Sequence, residues 1–355
     1  MNKPTSLVTG ASGYIALHVV SQLLDLGWIV HATVRNLHNE EKIGPLRQLD
    51  SKHPGKLKLF EADLLQAGSF LPAMQNCSVV FHIASPFLVP EAAKDSAKEL
   101  VIPALEGTRN VLQSVEKTES VKRVIFTSST GAIYSDNIDV IEMENQTLHE
   151  KYFNTNSTVD HNPYQFSKVV AEREAWRIAE AQKRWDMVAI CPGFVIGPML
   201  SAVSDSGSLF TIDQLLSGYM LVGVPDLAFA LVDVREVAAA HVRAAEVESA
   251  QGRYIVSRSK MMPFVDISML LKPMHPSSWQ LPSWMIPNWI LHILGPLMGL
   301  SRRWLDSNLS ITFSVDNTRS IEEFGIEYRP VAQSLADHYY SWAAHKASKR
   351  GSPSV

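Results

Sequence analysis

Thr9-Gly10-Ala11-Ser12-Gly13-Tyr14-Ile15-Ala16 joins an apolar run that starts at Ser6 to an amphipathic stretch that ends near Leu26. Gly10 permits a tight turn, and Gly13 lets the backbone approach a pyrophosphate at the N-terminus of the following helix. Ala16 is small where that helix must pack on a sheet. Ser12, Tyr14 and Ile15 belong to the same turn and are read with it as cofactor contacts. A glycine turn alone says little; at the first strand-to-helix junction of an alternating chain it reads as a dinucleotide loop.

The alternation extends outward from there. Residues 13–26 form a helix pattern with Ile15, Val19, Val20, Leu23 and Leu24 on one face. Apolar strand runs follow at 28–34, 57–61 and 78–83, a helix pattern at 100–115, and a strand at 123–128. A long helix is expected over 163–182, with Pro163 suited to its first turn, and then a strand at 187–191. Strands alternating with helices imply parallel pairing and right-handed crossovers. The expected fold class is α/β, a doubly wound parallel sheet (Rossmann) over residues 1–192. Residues 193–345 are expected to form mainly a smaller C-terminal substrate-binding lobe, with some returns to the sheet and an isolated strand at 253–256. A frayed polar tail is expected over 346–355.

Composition narrows the classes. The chain has 355 residues, 46% apolar and 19% charged, enough to bury a core and too apolar for disorder. Its net charge of -4 offers no basic excess, so no nucleic-acid partner is expected. Two cysteines, Cys77 and Cys191, exclude a disulfide framework, and no Cys-x-x-Cys or His-x-x-x-His spacing suggests a metal. Met1-Asn2-Lys3-Pro4 has no signal-peptide pattern, and a cytoplasmic location is expected. Residues 273–301 contain no Asp, Glu, Lys or Arg, but five prolines would break a spanning helix. Trp279, Trp284 and Trp289 lie there. The segment reads as a folded lid or lobe; the alternatives are an interfacial anchor over 279–300 or the wall of a pocket for a bulky apolar substrate.

The second strand ends in Val34-Arg35-Asn36, with Lys42 seven residues beyond Arg35. An NAD site ordinarily carries an acid there for the ribose hydroxyls; a guanidinium and an ammonium suit a 2′-phosphate, so NADPH is favoured. Asp63, beside Leu64 at the third strand's end, reads equally as an acceptor for the adenine amine or as a helix N-cap. Ala84, in His82-Ile83-Ala84-Ser85-Pro86, is small enough to admit the cofactor ribose, and His82 reads as a core histidine.

Tyr164-Gln165-Phe166-Ser167-Lys168 opens the long helix, and its spacing places Tyr164 and Lys168 on one face. A free phenol holds its proton too tightly for transfer at neutral pH, and a nearby ammonium eases release. Tyr164 is the candidate proton donor to a carbonyl oxygen, and Lys168 its partner and a ribose contact. The strand at 123–128 runs into Ser128-Ser129-Thr130-Gly131, where a hydroxyl can steady a developing oxyanion. Ser129 is the first choice and Ser128 the alternative.

Together these segments resemble the extended short-chain dehydrogenase/reductases, within the dihydroflavonol 4-reductase, cinnamoyl-CoA reductase and microbial aldehyde reductase group. The resemblance runs from the glycine loop to about Val256, including Gly107-Thr108-Arg109-Asn110-Val111 and 232–242. It implies a Ser129–Tyr164–Lys168 triad, NADPH-dependent carbonyl reduction, and Pro192-Gly193-Phe194 beside the nicotinamide. Tyr134 stands where plant flavonoid enzymes place a polar substrate contact, which argues against flavonoid specificity. Phe87, Tyr134 and Phe194 are the candidate pocket wall. A 3β-hydroxysteroid-type dehydrogenase/isomerase and a nucleotide-sugar epimerase are alternatives on the same fold, and a non-catalytic NADP-binding regulator is a lesser one. The expected partner is a small carbonyl substrate, and the assembly a monomer or homodimer.

Overall fold

In the computed structural model, residues 4–86, 95–203 and 206–351 are described; Phe87 lies outside them. The central sheet has seven strands, β1 Thr5–Val8, β2 Ile29–Val34, β3 Leu57–Glu61, β4 Val79–His82, β5 Arg123–Thr127, β6 Asp186–Pro192 and β7 Gly252–Val256. Their spatial order is β7-β6-β5-β4-β1-β2-β3, all parallel. Leu7, Val8, Val80, Phe81, Val124, Ile125 and residues 188–190 are fully enclosed. Burial on both faces explains why these strands read as unbroken apolar runs.

One face is covered by α1 (Tyr14–Asp25), whose Leu17, Val20 and Leu24 share a core with Val237, Ala240 and Ala244 of the helix Val234–Glu246. The other is covered by Ile102–Glu116 and Pro163–Glu180, through Val111, Leu112, Ala171 and Ala175. The strand order reverses between β1 and β4, and a crevice opens beyond the carboxyl ends there.

Two expectations change. The strand expected at 253–256 is not isolated: β7 pairs with β6 from Gly252 opposite Val188 to Val256 opposite Pro192. It is reached from Leu231–Asp233 through the helix Val234–Glu246, a crossover hidden by the intervening residues 193–230. Residues 346–351, expected to fray, continue the helix Val331–Gly351, with Lys346 Nζ 2.9 Å from an Asp213 oxygen. The uncharged segment folds into short pieces, including Ser278–Gln280, Asn288–Leu294 and Gly295–Met298. Among the described residues, no helix is long and apolar enough to cross a membrane.

Candidate active site

A cleft of about 1040 Å³ lies over the carboxyl ends of the strands. Gly10, Ser12, Gly13, Tyr14, Ile15, Arg35, Lys42, Asp63, Leu64, Ala84, Ser129, Tyr134, Tyr164, Lys168, Pro192 and Phe194 all line it. Residues separated by more than 180 positions therefore meet in one cavity.

The glycine loop fits a dinucleotide by shape. Gly10 has φ +62, and a Cβ there would sit 3.0 Å from the Ala84 Cβ. A Cβ on Gly13 would meet the Gly10 carbonyl at 3.2 Å. Gly13 is the N-cap of α1 and supplies no side-chain cap, and among the described residues no side chain caps the first-turn amides, which border the cleft. That is the arrangement a pyrophosphate occupies. Thr9 braces the loop: its hydroxyl accepts the Ile83 and Ala84 amides at 3.0 and 2.9 Å. It also lies 3.2 Å from His82 Nδ1. His82 is a core residue, its imidazole pushed down to about 3 by burial and then by Lys168.

Other side chains in the loop region have structural duties. The Tyr14 hydroxyl donates to the Gly197 carbonyl at 2.9 Å, and burial raises its pKa well above the usual phenol range. Asp63 Oδ1 accepts the Leu65 amide at 2.8 Å, so this carboxylate closes a local turn while lining the cleft. Asn110 donates to the Leu64 carbonyl at 2.8 Å, tying its helix to the cleft rim. Arg35 is exposed at the end of β2, and Lys42 is half-buried in the helix Glu40–Lys52.

The reacting end is built on the turn after β5 and the helix Pro163–Glu180. The two serines separate by environment. Ser128 is buried and its hydroxyl donates to Glu172 Oε2. Ser129 is half-buried, faces the cleft, and accepts the Gly131 amide at 3.1 Å. Lys168 is 8% exposed, with Nζ 5.6 Å from the Tyr164 ring centroid and donating to Ser85 Oγ at 3.0 Å. Beyond Pro192, Gly193 has no room for a side chain: a Cβ would lie 2.2 Å from the Ala230 carbonyl.

Sequence reasoning missed the network that seats Tyr164. Asn162, N-cap of its helix at φ 57 and ψ 57, donates to Ser135 Oγ at 2.9 Å and to Asp136 Oδ1 at 2.8 Å. His161 Nε2 lies 2.6 Å from Asp136 Oδ2. Asn308, on the helix Arg302–Asn308, donates to Asp136 Oδ1 at 2.7 Å and accepts the Asn137 amide at 3.0 Å. The one local signal was Asn162 before Pro163, since asparagine tolerates the left-handed conformation. Nothing local marks Asn308.

Tyr134, Phe194, Phe210, Leu227, Phe229 and Trp304 form the apolar wall of the cleft. Phe194 and Phe229 lie 4.5 Å apart between centroids, and Tyr134 meets Phe313 edge-on at 5.3 Å. Burial pushes the Tyr134 phenol up to about 12. Trp279, Trp284 and Trp289 do not line the cleft. Among the described residues, no group of three His, Cys, Asp or Glu is placed to hold a metal.

This fold, with a glycine-loop cradle and a hydroxyl, phenol and ammonium facing one cleft, defines the class of NADP-dependent oxidoreductases acting on carbonyl and CH–OH groups. The chain belongs to the NAD dependent epimerase/dehydratase family, whose model matches residues 6–256, and so to the extended short-chain dehydrogenase/reductases. A cinnamoyl-CoA reductase of Medicago truncatula is 38% identical over 76% of this chain and 80% of its own length. A tetraketide alpha-pyrone reductase of Arabidopsis thaliana is 37% identical over 76% of this chain and 83% of its own. The structure of Gre2 from Candida albicans in complex with NADPH superposes with a TM-score of 0.75 at 29% identity, covering 96% of this chain and 99% of that one.

Proposed function

We propose that the protein reduces an uncharged, largely apolar aldehyde or ketone to its alcohol, with Ser129, Tyr164 and Lys168 as the catalytic residues. The observation that carries this reading is the buried Lys168 ammonium beside the Tyr164 ring, in the same cleft as the glycine loop and the Ser129 hydroxyl. Gly10, Gly13 and the first-turn amides of α1 would hold the pyrophosphate, and Arg35 and Lys42 the 2′-phosphate. Asp63, Leu64, Ala84 and Pro192 would complete the nucleotide contacts. When bound, the reduced nicotinamide supplies the hydride.

Ser129 donates its hydroxyl to the carbonyl oxygen and orients it. Tyr164 donates its proton to that oxygen as negative charge develops there. The Lys168 ammonium stabilises the phenolate left behind, from a position where burial strengthens the interaction. Ser128 has no part in this, because Glu172 holds its hydroxyl.

The cleft's substrate wall favours the reductase reading over the nucleotide-sugar alternative. No charged side chain lines it from residues 131–137, 192–195, 206–211, 227–230 or 302–308. A sugar diphosphate would require cations there. Aromatic rings suit an apolar carbonyl, including a bulky one.

The test follows NADPH consumption across aldehydes, ketones, a dihydroflavonol and a 3-ketosteroid, with wild type beside Tyr164→Phe. Loss of the proton donor lowers kcat about 10²–10⁴-fold. Turnover unchanged in the variant, or none with any carbonyl despite NADPH binding, overturns the reading.

A further inference from the structure

The charge-free segment 273–301 has two sides. Inward, Ile286, Leu291 and Leu300 pack with Leu305 and Leu309, and that cluster also holds Leu227 and Trp304 of the cleft wall. Outward, Trp279 is 68% exposed, Trp284 53%, Trp289 66% and Leu297 85%. Trp289 and Ile293 stand one turn apart on the helix Asn288–Leu294, so the outer stripe is as apolar as the inner one. Beside it, Trp284 Nε1 donates to the Val222 carbonyl, and Val224 pairs with Met285, which brings exposed Tyr219, Leu221 and Val222 alongside. Aromatic side chains carry about 150–250 Å² each, so the four exposed rings alone present on the order of 500 Å², and the exposed Leu, Ile and Val side chains take the face beyond the few hundred Å² a monomer's surface usually leaves uncovered.

We infer that this face rests on an anionic lipid surface. Three features select that occupant. Indole rings settle at the boundary between headgroups and acyl chains, and three are presented here. There is no Asp, Glu, Lys or Arg in the 29 residues to be desolvated. Arg302 and Arg303 follow at once, both exposed and without a carboxylate partner among the described residues. Asp306 is the nearest acid in sequence, and it faces His292 at 3.7 Å. Anionic headgroups would accept both guanidinium groups beside the indoles. The face also backs onto the cleft wall through Leu227 and Trp304.

Vesicle flotation of the full chain tests this without reading turnover. Vesicles of phosphatidylcholine alone are compared with vesicles containing phosphatidylserine. The expected result is flotation with the anionic vesicles, weakened by salt. Trp289→Ser/Ile293→Ser/Leu297→Ser lowers it at least tenfold, and Arg302→Glu/Arg303→Glu abolishes the preference for phosphatidylserine. Unchanged melting temperatures and NADPH binding show that both variants are folded. No flotation of wild type overturns the inference. So does self-association in sedimentation that the triple serine variant abolishes without any vesicle binding, which assigns the face to a second copy. Flotation without carbonyl turnover leaves the surface standing and removes only the reductase reading.

Discussion

Arg253→Met is expected to unfold the protein more readily by about 3–5 kcal/mol, the cost of stripping one partner from a buried ion pair. Glu172 is wholly buried and Arg253 is 7% exposed, and the guanidinium meets the carboxylate at 2.7 Å through Nε and 3.1 Å through Nη2. Arg253 also donates to the carbonyls of Glu150 and Tyr152 and stacks 4.0 Å over the Phe153 ring. Methionine fills the volume and keeps the stem packed, so the loss isolates the charge and its hydrogen bonds. Among the described residues, Glu172 then retains the Ser128 hydroxyl and Trp176 Nε1, at 3.0 Å, against its burial. The assay is urea unfolding followed by tryptophan fluorescence, for both single variants and Arg253→Met/Glu172→Gln. Removing the charge together with its partner recovers more than half of the loss, because the desolvated carboxylate, rather than the missing contact, is the main cost. A deficit below about 1 kcal/mol for Arg253→Met, or a double variant no more stable than the single one, refutes this account.

Acid should destabilise the protein through its core histidines. Burial holds His82 down at about 3, and His241 and His338 at about 4, below the unfolded value of about 6.5. Their contribution is complete above pH 6.5 and falls as the unfolded chain takes up protons, by about 2 kcal/mol per histidine at pH 5. A urea midpoint unchanged between pH 7 and pH 5 contradicts this. Arg35→Ala is expected to weaken NADPH binding roughly 10–100-fold while leaving NADH almost untouched, as read by fluorescence titration. Equal losses for both would remove Arg35 from the 2′-phosphate. Asp136→Ala strips the acceptor shared by Asn162, Asn308 and His161 and should cost about 3 kcal/mol of stability. Its kcat should fall more than KM rises, because Tyr164 is displaced while the nucleotide cradle is not, and Asp136→Asn, which keeps one acceptor oxygen, should restore part of the rate.

The sheet and the nucleotide loop were legible because both are written in local residues. A parallel strand buried on two faces must be an apolar run, and a loop that passes within contact of Ala84 at positive φ must have glycine at position 10. The proximity of Tyr164 and Lys168 was legible for a similar reason, since helical spacing alone puts them on one face. Four decisions needed the tertiary structure. Ser128 and Ser129 are adjacent, chemically alike and both on the cleft lining, and only the position of Glu172, 44 residues beyond Ser128, engages the hydroxyl of one and not the other. The strand Gly252–Val256 closes the sheet although its partner ends 60 residues earlier. The indoles at 279, 284 and 289 point to solvent, because the short helices break at prolines and bury their aliphatic side. Asp136 gathers Asn162 and Asn308 from far along the chain. Such contacts leave no periodic trace, since a hydrogen bond between distant segments constrains only its two end residues and imposes no pattern on the sequence between them.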